Sequence, residues 1–260
     1  MPQKNDDIYN SLALIYDEVM RDVDYEDWAD FIDAIIQEHQ PDAVSILELA
    51  CGTGKIAMFL DELECYDITA TDFSEAMLEQ GKHIAEFRKL NITWLKQDFY
   101  DIKLTETFDI ILMLFDSVNY ILTDEQMDLM FSNVRKVMHD DSLFIFDFTT
   151  QKHSQLIEDL LNDEGITHDD YRFERKSYYL KAERLHINEF DIEKLDKDKL
   201  TVLERYREIH RQKIYELKEM ETAVLKAGFD IVAAYEDFDL FDATEKSERI
   251  TMVLSCRKNP

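Results

Sequence analysis

Glycine and proline are scarce, with five and three in 260 residues. So few chain breakers exclude a many-stranded sandwich with tight turns and a Pro/Gly-rich linker. The three cysteines, Cys51, Cys65 and Cys256, are odd in number and contain no CxxC pair. That excludes a disulfide scaffold or a zinc site and makes a reducing cytoplasm the default location. No run of about 18 apolar residues occurs, so no membrane span is expected. The opening MPQKNDDIYNSLALIYDEVM mixes acids into its apolar stretch, unlike a secretory signal. Basic residues are also few: 29 against 57 acidic ones, for a net charge of −28. Such a surface repels phosphates and anionic lipid, which counts against nucleic acid as a partner. The seven histidines show no metal-ligand spacing with carboxylates, so no metal is expected.

What remains is an ordinary globular mixture, 45% hydrophobic and 33% charged, long enough for one large domain or a domain with an insertion. Apolar residues at helical spacing predict two N-terminal helices within 8–39, the second capped by Asp24 and ended by Pro41. The rhythm then changes. Short apolar strands are expected at 43–49, 66–71, 92–95, 108–115 and 142–148, with helices between them and Ser74 capping one. Strands alternating with helices imply a parallel sheet covered on both faces. After residue 150 a helix is expected at 154–161 and a loop at Asn162-Asp-Glu-Gly165. Residues 171–212, rich in Tyr, Phe, Arg and Glu, predict two to four antiparallel strands. A helix at 214–227, capped by Gly228, and strands at 230–235 and 249–256 complete the chain. The fold class is therefore α/β: a doubly wound, seven-stranded, mostly parallel Rossmann-like sheet. Residues 1–150 and 213–260 form the core, with the N-terminal helices inside 1–40 and a small antiparallel β insertion at 171–212.

The sharpest local signal is Glu48-Leu-Ala-Cys-Gly52-Thr-Gly54 between a strand and a helix. Two of five glycines fall here, where they let the backbone turn tightly and approach a ligand. The helix N-terminus behind them offers free N–H groups. A phosphate-binding loop is excluded, because Gly52-Thr-Gly-Lys55 has neither the length nor the Ser/Thr it needs. A dinucleotide fingerprint fits literally, with Gly52-x-Gly54-x-x-Ala57 and an acid, Asp72, 20 residues on. S-adenosylmethionine is the third ligand class, since its methyltransferases use a similar first turn.

ELACGTG, followed in order by TDFSEAML, QDFYDI, FDIILMLFDSVNYI and LFIFDF, resembles the class I S-adenosylmethionine-dependent methyltransferases. IYDEVMRDVDYEDW resembles a bacterial small-molecule subgroup near the glycine/sarcosine and amino-sugar N-methyltransferases. The resemblance covers nearly the whole chain. It implies that Asp72 accepts from both ribose hydroxyls, that Phe73 and Met77 pack near the adenine, and that Asp98 and Phe99 meet the adenine edge. Glu48 would face the methionyl amino end and hold the turn formed by Ala50, Cys51, Gly52 and Gly54. Leu114 would line the sulfonium side, with Tyr16 and Trp28 as aromatic contacts from the leading helices. Ala50 stands where the family has a glycine, which is tolerable if the backbone there keeps φ < 0.

Methyl transfer from a sulfonium is an in-line displacement in which alignment and desolvation do most of the work. No obligatory catalytic residue follows, and an NAD-dependent oxidoreductase or a non-catalytic cofactor-binding protein remains the alternative. Asn119 and Tyr120, after the fourth strand, and Tyr206 and His210, on the insertion, are the substrate-side candidates. Tyr206 and His210 could also accept a proton. FDSVNY stands where amide and adenine-amino methyltransferases carry Asn-Pro-Pro-Tyr, which favours a small acceptor over an RNA one. The insertion concentrates Arg172, Arg175, Lys176, Lys181 and Arg184 and is expected to cover the acceptor pocket. A monomer and a homodimer are both compatible with the sequence.

Overall fold

The computed structural model describes residues 8–157 and 160–257. The chain enters through a 3-10 turn at Leu12–Leu14, a single helical turn α1 (Tyr16–Val19) and the full helix α2 (Tyr25–His39). α2 forms where Trp28, Phe31, Ile32, Ile35 and Ile36 share a face. Asp24 caps it by accepting the Asp27 N–H at 3.1 Å.

The expected first helix is broken, with only Tyr16–Val19 α-helical behind the 3-10 turn at Leu12–Leu14. Glu208 accepts the N–H groups of Tyr9, Ser11 and Leu12 at 2.7, 2.7 and 2.9 Å, and Tyr9 sits at φ +64°. Long-range bonds to a carboxylate replace a helical ladder there. The segment 8–24 is thus an irregular strap.

The central sheet follows. β1 (Ser45–Leu49), β2 (Asp67–Asp72), β3 (Thr93–Lys96), β4 (Phe108–Met113) and β5 (Met138–Thr149) alternate with α3 (Lys55–Asp61), α4 (Glu75–Arg88) and α5 (Asp124–Lys136). Beyond α6 (Gln151–Ile157) come β6 (Asp163–Ile166), β7 (Tyr171–Leu180), β8 (Leu185–Leu195) and β9 (Val202–Lys213). Then α7 (Leu217–Lys226), β10 (Phe229–Glu236) and β11 (Arg249–Cys256) return to the core. The seven-stranded order is β10-β11-β5-β4-β1-β2-β3. β11 alone runs against its neighbours β5 and β10.

Period-two side chains divide the apolar residues between two faces. Leu47, Leu49, Ile111, Met113, Phe144 and Phe146 pack under α5 and α7. Ile46, Ile68, Ile110, Leu112 and Ile145 pack under α2 and α3. Among the described residues no helix is long and apolar enough to cross a membrane.

β6 to β9 form a separate four-stranded antiparallel sheet, longer at its start than 171–212. The expected loop at 162–165 is largely strand β6, paired with β7 from Asp163↔Arg175 to Ile166↔Arg172. Gly165 fits there because a Cβ would stand 3.0 Å from the Phe173 ring. The helix expected at 154–161 lies at 151–157; residues 158 and 159 fall outside the described residues. The second sheet rests on the strap, where Leu12 and Ile15 join Tyr171, Phe173, Phe190 and Ile192 in one apolar cluster.

Candidate functional site

Strand order reverses between β1 and β4, which pair parallel to each other, β1 continuing to β2 on one side and β4 to β5 on the other. In an open parallel sheet a crevice opens at the carboxyl ends at such a point. Here it is a cavity of about 380 Å³ beneath the strap. Tyr16, Glu48, Ala50, Cys51, Gly52, Asp72, Phe73, Met77, Asp98, Phe99, Leu114 and Tyr120 all line it.

The glycine loop is built from below. Cys51 N–H donates to the Thr71 carbonyl at 2.9 Å, and the Thr71 hydroxyl donates to the Glu48 carbonyl at 2.9 Å. The Asp72 carboxylate accepts the Gly52 N–H at 2.8 Å and the Ser74 N–H at 2.7 Å. Asp72 is therefore also a brace, one oxygen on the loop and one on the entry to α4, with lone pairs left over. Burial raises its pKa, while the backbone donors at Ser74, Gly52 and Phe73 pull it down.

Gly52 has φ +58°, and a Cβ there would meet nothing within 4 Å. The loop backbone is open on its cavity side. Ala50 has φ +52°, which corrects the expectation of φ < 0: this alanine holds a left-handed turn. Gly54, also left-handed at φ +69°, does not line the cavity; a Cβ there would stand 2.3 Å from the Trp94 ring. Glu48 is 3% exposed, and its Oε2 has no hydrogen-bond partner. Burial pushes its pKa up to about 8, against a bond from the Ala57 backbone that lowers it.

Around the cavity, Asp98 accepts the Tyr100 N–H at 2.8 Å, which fixes the turn carrying Phe99. The Phe99 and Tyr100 rings lie 4.4 Å apart. Met77 is fully buried, whereas Phe73 is half exposed with the Lys96 ammonium over its ring. The strap closes the roof. Asp17 accepts from the Thr53 hydroxyl at 2.8 Å and pairs with Lys55 at 2.7 Å. The Ser74 hydroxyl donates to the Tyr9 carbonyl at 2.8 Å.

Four further expected residues lie off the cavity. Trp28 is buried between Phe115 and Phe238, with the Arg249 guanidinium over its ring. Asn119 is fully buried; its amide donates to the Thr149 and Lys213 carbonyls and accepts the Thr149 N–H. It ties β5 to the end of β9. Tyr206 shares the inward face of β9 but sits past the cavity, and its hydroxyl donates to Glu204. His210 is 1% exposed and stands one layer behind the wall. Its Nδ1 is 3.0 Å from the Tyr120 hydroxyl, and its Nε2 is 3.2 Å from Glu208 Oε2. Tyr120 in turn meets the Tyr9 hydroxyl at 2.6 Å.

Sequence reasoning missed Tyr9, Tyr25, Lys55, Ser74, Phe115 and Gln126 as lining residues. Only the aromatic density of IYNSLALIY hinted at the first. It also missed the polar knot below the cavity. Arg249 pairs with Asp116 at 2.9 Å and with Asp147, and Gln212 donates to Asp116. Burial raises Asp147 to about 6 despite the opposing pull of Arg249. The knot holds Phe115 and Asp116, both left-handed at φ +60° and +51°.

Sheet order, glycine loop and the acid at the end of β2 define a Rossmann-like methyltransferase fold. Residues 46–141 match the methyltransferase-domain family, and the chain's structural neighbours are class I, S-adenosylmethionine-dependent methyltransferases. The cofactor of that class is S-adenosylmethionine. Among relatives, a Geobacillus sp. (strain WCH70) protein whose name says methyltransferase and gives no acceptor is 28% identical over 94% of this chain and 98% of its own. Among solved structures, an S-adenosylmethionine-dependent methyltransferase from Clostridium acetobutylicum ATCC 824 is 25% identical, covers 97% of this chain and 100% of its own, and superposes with a TM-score of 0.77. The sugar N-methyltransferase KedS8 from Streptoalloteichus sp. shares the fold at 17% identity and a TM-score of 0.74, covering 99% of this chain and 97% of its own.

Proposed function

We propose that this protein methylates a nitrogen or oxygen of a small-molecule acceptor, with S-adenosylmethionine as donor. The observation that carries the reading is the orphaned Glu48 Oε2 beside an open glycine loop in a roofed cavity. A buried polar atom without a partner costs free energy unless a ligand supplies one. The cofactor offers an ammonium there. Its electrophilic sulfonium methyl is the chemistry it supplies when bound.

The residues have separable tasks in this reading. Glu48 receives the methionyl ammonium. Asp72 uses its remaining lone pairs for the ribose hydroxyls, and Asp98 receives the adenine amino group. Phe73, Met77 and Phe99 flank the base. Tyr16 and Leu114 form the apolar wall about the reacting carbon, and Tyr120 meets the acceptor. The strap excludes water, which strengthens every polar contact inside. A cavity of about 380 Å³ under a roof, on a protein of net charge −28, favours a small acceptor over a nucleic acid. The likeness to KedS8 extends that preference to amines.

Calorimetry tests the donor: S-adenosylmethionine should bind, and NAD should not. Mass spectrometry of reactions with amino acids, amines and amino sugars tests the acceptor class by a gain of one methyl group. Asp72→Ala should weaken cofactor binding by about 1.5–3 kcal/mol. It should also lower stability by about 1–3 kcal/mol, because the Gly52 and Ser74 N–H groups lose their acceptor. Unchanged affinity would remove Asp72 from the ribose role.

A further inference from the structure

We propose that Tyr120, His210 and Glu208 form a relay that removes the acceptor's proton, and that seating the strap completes it. The proposal rests on the methyl-transfer reading and adds to it a destination for the proton. The hydroxyl of Tyr120 borders the cavity and contacts His210 Nδ1 at 3.0 Å, while His210 Nε2 faces Glu208 at 3.2 Å. The imidazole, 1% exposed, is held between a phenol and a carboxylate.

The hydrogen-bond roles follow from counting donors. Glu208 accepts three backbone N–H groups from the strap, those of Tyr9, Ser11 and Leu12. Burial raises its pKa, but His210 and the Leu12 and Tyr9 amides lower it more, so the net shift is downward and the group stays ionised. A carboxylate can only accept. His210 therefore donates from Nε2, and in the neutral ring Nδ1 keeps its lone pair for the Tyr120 hydroxyl. Tyr120 then accepts from the Tyr9 hydroxyl or from the acceptor. Burial holds both phenols protonated, Tyr9 and Tyr120 being raised well above the ordinary tyrosine range. They conduct a proton and do not store one.

The step balances. As the acceptor atom bonds to the methyl carbon, the carbon–sulfur pair stays on sulfur and the acceptor's proton passes to the Tyr120 oxygen. The Tyr120 proton moves to His210 Nδ1, and the imidazolium is stabilised by Glu208. The groups that bear on this imidazole come from every neighbouring element. They are Glu208 on its own strand, Tyr120 after β4, Tyr9 on the strap, the Phe190 ring at 5.5 Å on β8, and Asn188 opposite it in register. Arg175 on β7 and Asp116 act on the same phenols, with opposite sign.

Glu208 is the positioning residue, and it does two things. It fixes the tautomer of His210, and it is the anchor of the strap. When the strap lifts, Glu208 loses three donors and Tyr120 loses Tyr9. His210 is then open to release its proton to water. The relay thus exists in the closed state and resets in the open one.

Long-range proton–nitrogen spectra of histidine in the full chain, saturated with S-adenosylmethionine, test the arrangement without any acceptor. His210 should be the neutral Nε2–H tautomer, and Glu208→Gln should disturb it. An Nδ1–H tautomer overturns the proposal. Kinetics with ethanolamine, glycine and glucosamine as probes test the function. His210→Gln should bind S-adenosylmethionine within about twofold of wild type, while kcat falls ~10²-fold and the rise of rate with pH disappears. An unchanged pH profile in that variant overturns the relay. Failure of the methyl-transfer reading looks different: the wild-type chain would not bind S-adenosylmethionine, whatever the tautomer of His210.

Discussion

At the residue scale, Glu48 makes the site sensitive to pH. Its carboxyl is buried and its pKa lies near 8 instead of 4.5. A cationic ligand favours the charged form of a neighbouring carboxyl. Near pH 7, binding of S-adenosylmethionine should therefore release a proton from Glu48. Calorimetry in buffers of different ionisation enthalpy reads that release, which Glu48→Gln should abolish. The same residue shapes stability. Below pH 4.5 the folded and unfolded chains both hold the proton; between 4.5 and about 8 the unfolded chain has lost it and the folded chain keeps it. Stability from this group thus falls as pH rises through that window and levels off above it. Urea melts of wild type and Glu48→Gln across the window should diverge toward alkaline pH, with the variant the less affected.

At the scale of elements, the strap is the piece that turns a crevice into a chamber. It has one α-helical turn and a 3-10 turn of its own, and its order comes from Glu208, Thr53, Lys55 and Ser74. Segments held by few contacts open first. Hydrogen exchange of amides 9–20 should slow on addition of S-adenosylmethionine, and equal exchange with and without it would deny the strap a role as a lid. Asp17→Asn should weaken cofactor affinity by about 0.5–1.5 kcal/mol, a modest figure because the pair with Lys55 is partly exposed. These contacts also show what sequence conveys. The helix–strand alternation, the Asp24 and Ser74 caps and the last strand, 249–256, were legible because each depends on neighbours in the chain. The strap was not, since Tyr9 meets a carboxylate 199 positions away. Nor was the role of Asn119, whose polarity suggested substrate while its amide binds two backbones. Ala50 carried no mark of its left-handed turn, because alanine ordinarily avoids it. Eleven of the expected cofactor-side residues nonetheless line the cavity, because strand ends bring them together by topology alone.

At the scale of the whole molecule, 57 acidic residues against 29 basic ones repel one another across the surface. Compactness is opposed by that field, and salt relieves it. Raising ionic strength from ~0.01 to ~0.5 M should stabilise the chain by about 1 kcal/mol, or about 2–4 °C in melting temperature. A melting temperature indifferent to salt would mean that ion pairs such as Arg257–Asp230 and Lys226–Asp128 already balance the local charge.

The roof has a consequence for timing. Tyr9, Tyr16 and Tyr25 face the cavity from above, and the strap carrying the first two is tied to the glycine loop, α4 and the second sheet. In the proposed reaction, exchange of the donor and its demethylated by-product is expected to need those ties to open. The expected order for the proposed reaction is donor first and by-product last, with opening of the strap as the slow event. Steady-state rates should fall as solvent viscosity rises, and the by-product should compete with the donor alone.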